Sequence, residues 1–265
     1  MSEPVLLQRE GGVATLTLNR PDALNVLDEA MVRGLLEHLT AIANDAAVRV
    51  VVLRGAGPHF MAGGDIRMFA ALRPLPPAER TARFAQFVVP VHAALELLVR
   101  LPQPVVARVH GACAGFGMSL MCACDLAIAS DDAYFSTSYR QIGLTPDGSG
   151  TWSLPRVVGP RKAMELFLLS PRIDAKEAAA IGLVNRVVPA AELDAAVDRV
   201  VRSLADGPAL ALANAKRLLR ASPGRSLSEQ LNAEAASIAQ CAGTADFVEG
   251  ITAFLEKRPP RFGRA

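Results

Sequence analysis

The chain has 265 residues, of which 51% are hydrophobic and 20% are charged. This length provides ample apolar core for one large domain, or for a domain with a helical extension. A net charge of +2 is too close to neutral to favour nucleic acid or an anionic membrane surface as a partner.

Cysteine usage and the opening of the chain bear on its location. Three of the four cysteines lie in the most apolar stretch and no C-x-x-C pair is present, which favours free thiols in a reducing compartment. The polar opening Ser2-Glu3-Pro4 does not resemble a secretory signal. The longest uncharged apolar run, between His110 and Asp125, is shorter than the about 18–20 residues that span a bilayer. The sequence therefore predicts a cytoplasmic protein with no membrane partner.

The first elements in chain order are two strands, a helix and a third strand. Two apolar runs, 5–9 and 13–18, flank Gly11-Gly12 and predict a β-hairpin. Asp28 can then cap an amphipathic helix. The valine-rich run 49–54 is typical of a buried strand.

A loop from Gly55 to Gly64 leads to Asp65, which can cap a short helix. The proline-containing segment 74–77 separates this helix from a longer one that ends near Arg100. Because such connections lie at the surface, the segment is a candidate for a mobile loop over a site.

The stretch from Pro104 to Ser130 is the most informative part of the chain. It begins as a strand over 105–109, breaks into glycines at 111, 115 and 117, and continues as an apolar helix to Asp125. This order directs free backbone N–H groups at a ligand, such as a phosphate or a carbonyl oxygen that becomes negative. The alternative is a tightly packed core helix, for which small apolar residues are equally typical. Short strands are expected over 126–129 and 134–136.

Beyond Gly143 the pattern changes to helices. They are expected over residues 161–169, 176–181, 192–204, 209–220, 227–240 and 245–256. Two capping boxes, Asp174 with Glu177 and Ser226 with Glu229, support this interpretation. The sequence thus predicts an α/β core over residues 1–190 and a helical region over 191–265, whose apolar faces are available to a neighbouring subunit.

Two motifs carry a family resemblance. The first is His59-Phe60-Met61-Ala62-Gly63-Gly64-Asp65-Ile66, and the second runs from Gln103-Pro104-Val105 through Ala114-Gly115-Phe116-Gly117 to Cys124-Asp125. Together with Thr145-Pro146-Asp147-Gly148, these motifs resemble the crotonase family, the enoyl-CoA hydratase/isomerase superfamily, over nearly the whole chain.

The resemblance implies an α/β fold, a spiral of β-β-α units with C-terminal helices that make trimer contacts. It implies a homotrimer or hexamer that acts on acyl-CoA thioesters. Coenzyme A then enters as part of the substrate and no separate cofactor is expected. No metal site is expected either, because the four histidines have no metal-ligand spacing.

The resemblance also implies which residues meet the thioester. The family's oxyanion hole, two backbone N–H groups, falls on Gly64 and Phe116. One such donor contributes roughly 3 kcal/mol in other acyl-transfer sites. Phe116 stands where many members have glycine, so its ring is expected to reshape the acyl pocket. The implied substrate-binding residues are Ala62, Gly63, Gly64, Asp65, Ile66, Phe116, Ser119 and Tyr139.

The acid/base residue distinguishes members of the family. The two glutamates of the hydratases fall on Ser119 and Tyr139, neither of which is an acid. Adding water to a double bond needs both a base and an acid, so ordinary hydratase activity is not expected. Asp147 stands where enoyl-CoA isomerases and ring 1,2-epoxyphenylacetyl-CoA isomerases carry a single acid, which predicts an isomerase with Asp147 as its catalytic base.

Three alternatives stay open. Pro146-Asp147-Gly148 is also what a simple turn looks like. A hydratase-like or thioester-cleaving member can use other groups, and a non-catalytic homologue can bind acyl-CoA without turnover. If Asp147 is the base, nearby apolar groups such as Leu144, Trp152 and Phe116 are expected to raise its pKa.

Overall fold

A computed structural model describes residues 3–263, which contain nine strands in two sheets. The larger sheet has the order β1-β2-β3-β4-β6-β9, and the smaller has the order β5-β7-β8. The strands are β1 Val5–Glu10, β2 Val13–Leu18, β3 Val50–Gly55, β4 Val105–Val109, β5 Ala112–Ala114, β6 Leu126–Ser130, β7 Tyr134–Ser136, β8 Ile173–Asp174 and β9 Arg186–Val188.

The large sheet confirms the predicted hairpin. Strands β1 and β2 pair antiparallel with Val5 opposite Leu18, and every later pairing in this sheet is parallel. Parallel strands are typically covered on both faces, which explains the nearly continuous apolar sequence of β3. The predicted α/β class is therefore confirmed.

The small sheet was not fully expected. Its strand β5 lies inside the predicted glycine turn and pairs in parallel with β7, so that Cys113 lies opposite Phe135. Strands β8 and β9 also have no counterpart among the expected elements. All three are two or three residues long, and their partners are distant in the chain.

Most residues outside the two sheets belong to helices. They are α1 Glu29–Ala43, α2 Ile66–Ala71, α3 Pro77–Arg100, α4 Phe116–Ala123, α5 Gly150–Val158, α6 Pro160–Leu169, α7 Ala175–Ala180, α8 Leu193–Ala205, α9 Ala209–Ala221, α10 Leu227–Ala242 and α11 Ala245–Leu255. The six helices predicted beyond Gly143 are confirmed to within two residues, whereas α5, with Pro155 inside it, was missed.

Two apolar cores lie on opposite faces of the large sheet. The larger core includes buried residues of α1 and α3 and extends under α4 to α7. The smaller core joins Val50, Val52, Val106 and Ile128 to the inner face of α8. Residues beyond 190 thus begin with a helix on the sheet itself, and the boundary between core and helical region stays a prediction.

Helix α3 has 24 residues and, within 3–263, is the one helix long and apolar enough to cross a membrane by length and composition. It was not anticipated by the search for uncharged runs, because charged residues occur at both ends. Pro90 lies inside it without ending it. Its C-terminal half buries Val91, Ala94, Leu95 and Leu98 in the large core, and its N-terminal half borders the cavity described below.

A partly buried ionic network ties α9 to the end of α4. Asp125 accepts from Lys216 Nζ at 2.7 Å and from Arg220 Nη2 at 2.7 Å, while its Oδ2 also accepts the Val105 N–H at 2.8 Å. The Lys216 side chain is only 8% exposed. Burial lowers the pKa of Lys216, and the Asp125 carboxylate opposes that shift.

The capping predictions are borne out in full at one helix and in half at the other. Ser226 and Glu229 form the reciprocal capping box of α10. At α7, Asp174 accepts the Glu177 N–H at 2.8 Å, but the Glu177 carboxylate turns to Lys162 Nζ at 3.0 Å. A cation within reach therefore competes successfully with the backbone N–H of the cap.

Candidate active site

Two chain segments run side by side at the carboxyl ends of β3 and β4. The Phe60 N–H donates to His110 O at 2.8 Å, the Met61 N–H to Ala112 O at 2.9 Å, and the Ala114 N–H to Met61 O at 2.9 Å. This short ladder fixes the loop after β3 against the chain that enters α4.

Glycines allow the close approach of these segments. A methyl group placed on Gly63 would lie 3.5 Å from Phe116 N, and one placed on Gly117 would lie 2.4 Å from Met61 O. Gly63 has φ +101° and Gly115 has φ +52°, which are conformations that side chains rarely adopt. The glycine-rich sequence is therefore required by backbone contact as well as by backbone conformation.

The two N–H groups predicted to meet the thioester lie at this junction. Within residues 3–263, neither the Gly64 N–H nor the Phe116 N–H donates to a protein acceptor. Both residues line the same cavity. Phe116 is the first residue of α4, so the positive end of the helix dipole adds to its N–H.

The cavity has a volume of about 720 Å³ and is mostly apolar. Its aromatic wall includes Phe69, whose ring centroid lies 5.0 Å from that of Phe84 and 6.2 Å from that of Phe87. A second cavity of about 720 Å³ adjoins it and shares this wall at Phe69 and Phe84. Together they are large enough for a sizeable apolar group.

Asp147 lies on the turn that leads into α5, half-buried at the edge of the cavity. Among the described residues that line the cavity, it is the only carboxylic acid. The Tyr139 hydroxyl donates to Asp147 Oδ1 at 2.7 Å. Burial raises the pKa of the Asp147 carboxyl, whereas the bond from Tyr139 and the charge of His92 act in the opposite direction.

The expected apolar neighbours of Asp147 are present with one exception. Leu144 and Phe116 line the cavity, and the Phe116 ring packs over Gly148, where a methyl group would lie 2.6 Å from it. Trp152 was expected beside Asp147, but its side chain is 43% exposed and stacks under Arg156 at 4.1 Å. Trp152 faces outward because α5 presents that side to solvent.

The other implied substrate-binding residues divide into two groups. Ala62, Gly63, Ile66 and Tyr139 line the cavity with Gly64 and Phe116. Ser119 lies in a layer behind, where its hydroxyl donates to Asp147 O at 3.0 Å.

Asp65 caps α2 through the Arg67 and Met68 N–H groups and pairs with Arg20 at 3.2 Å. Asp65 and Ser119 thus shape the site through the residues that they hold.

His92 was not anticipated as a site residue. It lies on α3, lines the cavity and is close enough to Asp147 for its charge to affect that carboxylate. Its signal in the sequence is a single titratable residue in the otherwise apolar run 87–95, but only the docking of α3 brings it to the cavity.

The chain is similar to known proteins over nearly its whole length. A family model described as enoyl-CoA hydratase/isomerase matches residues 8–265. The chain is 35% identical to the 1,2-epoxyphenylacetyl-CoA isomerase of Escherichia coli strain K12 over 99% of both chains. It is 34% identical to the crotonyl-CoA hydratase of Syntrophomonas wolfei over 98% of both. The solved structure of an enoyl-CoA hydratase from Polaromonas sp. JS666 superposes with a TM-score of 0.90 at 35% identity, covering 97% of this chain and 98% of that one.

The chain therefore belongs to the enoyl-CoA hydratase/isomerase family, and its fold is the crotonase fold of that family. It is an enzyme of a family that acts on acyl-CoA thioesters. Both isomerase and hydratase names occur among its relatives, so the choice between these reactions depends on the site.

Proposed function

We propose that this enzyme is an acyl-CoA isomerase that shifts a double bond or rearranges a ring epoxide through a thioester enolate. The observation that carries the proposal is a lone half-buried carboxylate, Asp147, in the same cavity as two N–H groups without a protein acceptor in residues 3–263. One carboxylate suffices for an isomerisation, because the proton that it removes is the proton that it returns.

For a 3-enoyl thioester the steps balance with no other reactant. Asp147 removes a proton from C2, and the C–H electron pair moves through C1 onto the thioester oxygen. The Gly64 and Phe116 N–H groups meet that negative charge as an oxyanion hole, each contributing about 3–4 kcal/mol at most. The electrons then return, and C4 takes the proton from Asp147, which leaves a conjugated 2-enoyl thioester.

The environment of Asp147 supports its role as a base. Burial raises its pKa, which makes the carboxylate a stronger base than one in water. The apolar cavity walls exclude water and strengthen the electrostatic effect of the two N–H groups. Coenzyme A enters only as the carrier of the acyl group in this proposal.

Hydration is the second candidate, and one observation favours it. His92 lines the same cavity as Asp147, so a second proton-transferring group is available for a water molecule. The relative named crotonyl-CoA hydratase is consistent with this chemistry. We place hydration second because isomerisation needs only Asp147.

The test compares the wild type with Asp147→Asn on 3-hexenoyl-CoA, following absorbance of the conjugated product. We expect turnover in the wild type and a loss of at least about 100-fold in the variant. Crotonyl-CoA hydration and thiol release are measured on the same samples. Faster hydration than isomerisation would favour the second candidate, release of thiol would favour thioester cleavage, and tight acyl-CoA binding without any turnover would favour a non-catalytic homologue.

We also infer that the enzyme is a homo-oligomer, a trimer or a pair of trimers. Large apolar side chains are exposed on α6, α9, α10 and α11, which a lone chain would leave in water. They include Met164, Leu168, Leu219, Leu231, Ile238, Val248, Phe254 and Leu255. Light scattering of the wild type and of Phe254→Asp tests this, and a monomeric wild type would overturn it.

A further inference from the structure

Asp147 is held by hydrogen bonds to its main chain as well as to its side chain. The main-chain oxygen accepts from the Ser119 hydroxyl at 3.0 Å and from the Gly150 N–H at 2.9 Å. At the side chain, the Tyr139 hydroxyl donates to Oδ1 at 2.7 Å. No donor from another residue within 3–263 reaches Oδ2.

Tyr139 is itself firmly placed. Its side chain is buried, with the residue 9% exposed, and it follows Ser138, which has the left-handed φ of 55°. Main-chain bonds fix both sides of the residue, since the Tyr139 N–H donates to Thr137 O at 2.8 Å and the Leu144 N–H donates to Tyr139 O at 3.1 Å. The phenol therefore approaches Asp147 from a rigid support.

The number of hydroxyl protons limits where the Tyr139 phenol can donate. Tyr139 and Ser119 have one hydroxyl proton each, but three contacts join them to each other and to Asp147, at 2.7, 3.0 and 3.2 Å. The shortest contact ends on the carboxylate, and hydrogen bonds to charged acceptors are the stronger ones. The Tyr139 proton thus goes to Oδ1, and the Ser119 hydroxyl donates its proton to the main-chain oxygen of Asp147.

We propose that Tyr139 is a positioning residue that reserves Oδ1 of Asp147, so that Oδ2 alone takes and returns the substrate proton. This inference rests on the proposed role of Asp147 as base. Without the phenol the terminal torsion of the carboxylate is broad, and either oxygen faces the substrate only part of the time. The bond also favours the ionised carboxylate, so its removal raises the pKa of Asp147.

Few other groups affect this titration. Within the described residues, the titratable groups that bear on the Asp147 carboxylate are Tyr139 and, from α3, His92. Helix α4 contributes the uncharged Phe116 and Ser119 to this side of the site. Because the charge of His92 affects the pKa of Asp147, each pH profile is also measured in a His92→Gln background.

The experiment uses Tyr139→Phe, with Tyr134→Phe as a matched control. These are the only two tyrosines in the chain, and Tyr134 lies on β7 under the Arg172 guanidinium. On 3-hexenoyl-CoA we expect the acid limb of kcat/KM to move up by about one pH unit in Tyr139→Phe, since activity is lost below the pKa of the base. We expect kcat to fall about tenfold with KM nearly unchanged. Tyr134→Phe should leave the limb in place.

A second measurement avoids removing the phenol. In the Tyr134→Phe background, 3-fluorotyrosine replaces Tyr139 alone, and fluorination makes the phenol a stronger donor. The acid limb should then move down, opposite to its shift in Tyr139→Phe. The ¹⁹F resonance of this residue should also titrate with Asp147, and the step should disappear in Asp147→Asn, whether or not the test substrate turns over.

The outcomes separate this inference from the proposed function. An unchanged acid limb in Tyr139→Phe, together with no Asp147-dependent ¹⁹F step, would overturn the positioning role while leaving Asp147 as the base. Full turnover by Asp147→Asn would instead overturn the proposed function. A ¹⁹F step without turnover would support the contact between Tyr139 and Asp147 and count against the isomerase.

Discussion

Gly117→Ala tests whether the two free N–H groups act as a pair. Gly117 follows the Phe116 donor, and its φ is not in the left-handed region, so an alanine would cause steric conflict without backbone strain. The added methyl group would lie 2.4 Å from Met61 O and 2.8 Å from Met61 Cβ. Relief of the contact with Met61 O to an ordinary 3.4 Å requires a separation of the two segments by about 1 Å.

This separation should be costly for catalysis because it moves one N–H away from the thioester oxygen. Misplacement by about 1 Å can cost about 100-fold, and loss of one oxyanion donor costs about 10²–10³ in kcat. We therefore expect kcat on 3-hexenoyl-CoA to fall about 100-fold. The acid limb of kcat/KM should stay where it is, because Asp147 lies on a different segment.

Gly224→Ala is the matched control, since a methyl group there meets nothing within 4 Å and the residue has no left-handed φ. Circular dichroism and thermal unfolding verify that both variants are folded. A folded Gly117→Ala enzyme with wild-type kcat would refute the idea that the main-chain N–H groups stabilise the reacting oxygen.

Three further predictions concern stability and accessibility. Because burial raises the pKa of Asp147, its ionisation disfavours the folded state, and stability should fall as pH rises from the ordinary carboxyl range through the raised value. Asp147→Asn should therefore raise Tm at pH 7, by about 2–4 °C for each kcal/mol of stability gained, and the Tm difference from the wild type should vanish in acid. A lower Tm for the variant at pH 7 would contradict this. Asp125→Ala leaves the Lys216 ammonium with the Gln103 main-chain oxygen but without its carboxylate partner. Urea titration should show a loss of about 3–5 kcal/mol, whereas a loss below about 1 kcal/mol would show that the network is dispensable. Cys113 is fully buried, and burial raises the pKa of its thiol. Mass spectrometry should therefore find Cys241 alkylated by iodoacetamide well before Cys113, and equal rates would show that the core opens.

Local patterns predicted the elements whose evidence lies in their own residues. The hairpin of β1 and β2 has a glycine pair between two apolar runs, and α10 has its capping box. Strand β5 has no such evidence, because three residues between glycines become a strand only when β7 pairs with them. Helix α5 was hidden by Pro155 and by the glycines before it.

The same distinction between local motifs and tertiary packing applies to the candidate site. The family motifs pointed to Gly64, Phe116 and Asp147, and the structure brings these residues to one cavity. The outward position of Trp152 depends on the orientation of a helix that the sequence did not reveal. The place of His92 depends on how α3 packs against the rest of the structure. The bond from Tyr139 to Asp147 depends on how the loop between them folds back, so neither contact could be derived from spacing.

The Gly64 position has a consequence for engineering. A methyl group there would meet the tip of the Phe69 ring at 2.6 Å, on the wall shared by the two cavities, and leave the main-chain N–H in place. Small substitutions at Gly64 would thus reshape the pocket through Phe69 and keep the proposed donor. Selection for new acyl preferences can begin at this residue, because a side chain introduced there would act on the pocket wall, whereas the proposed donor is the main-chain N–H.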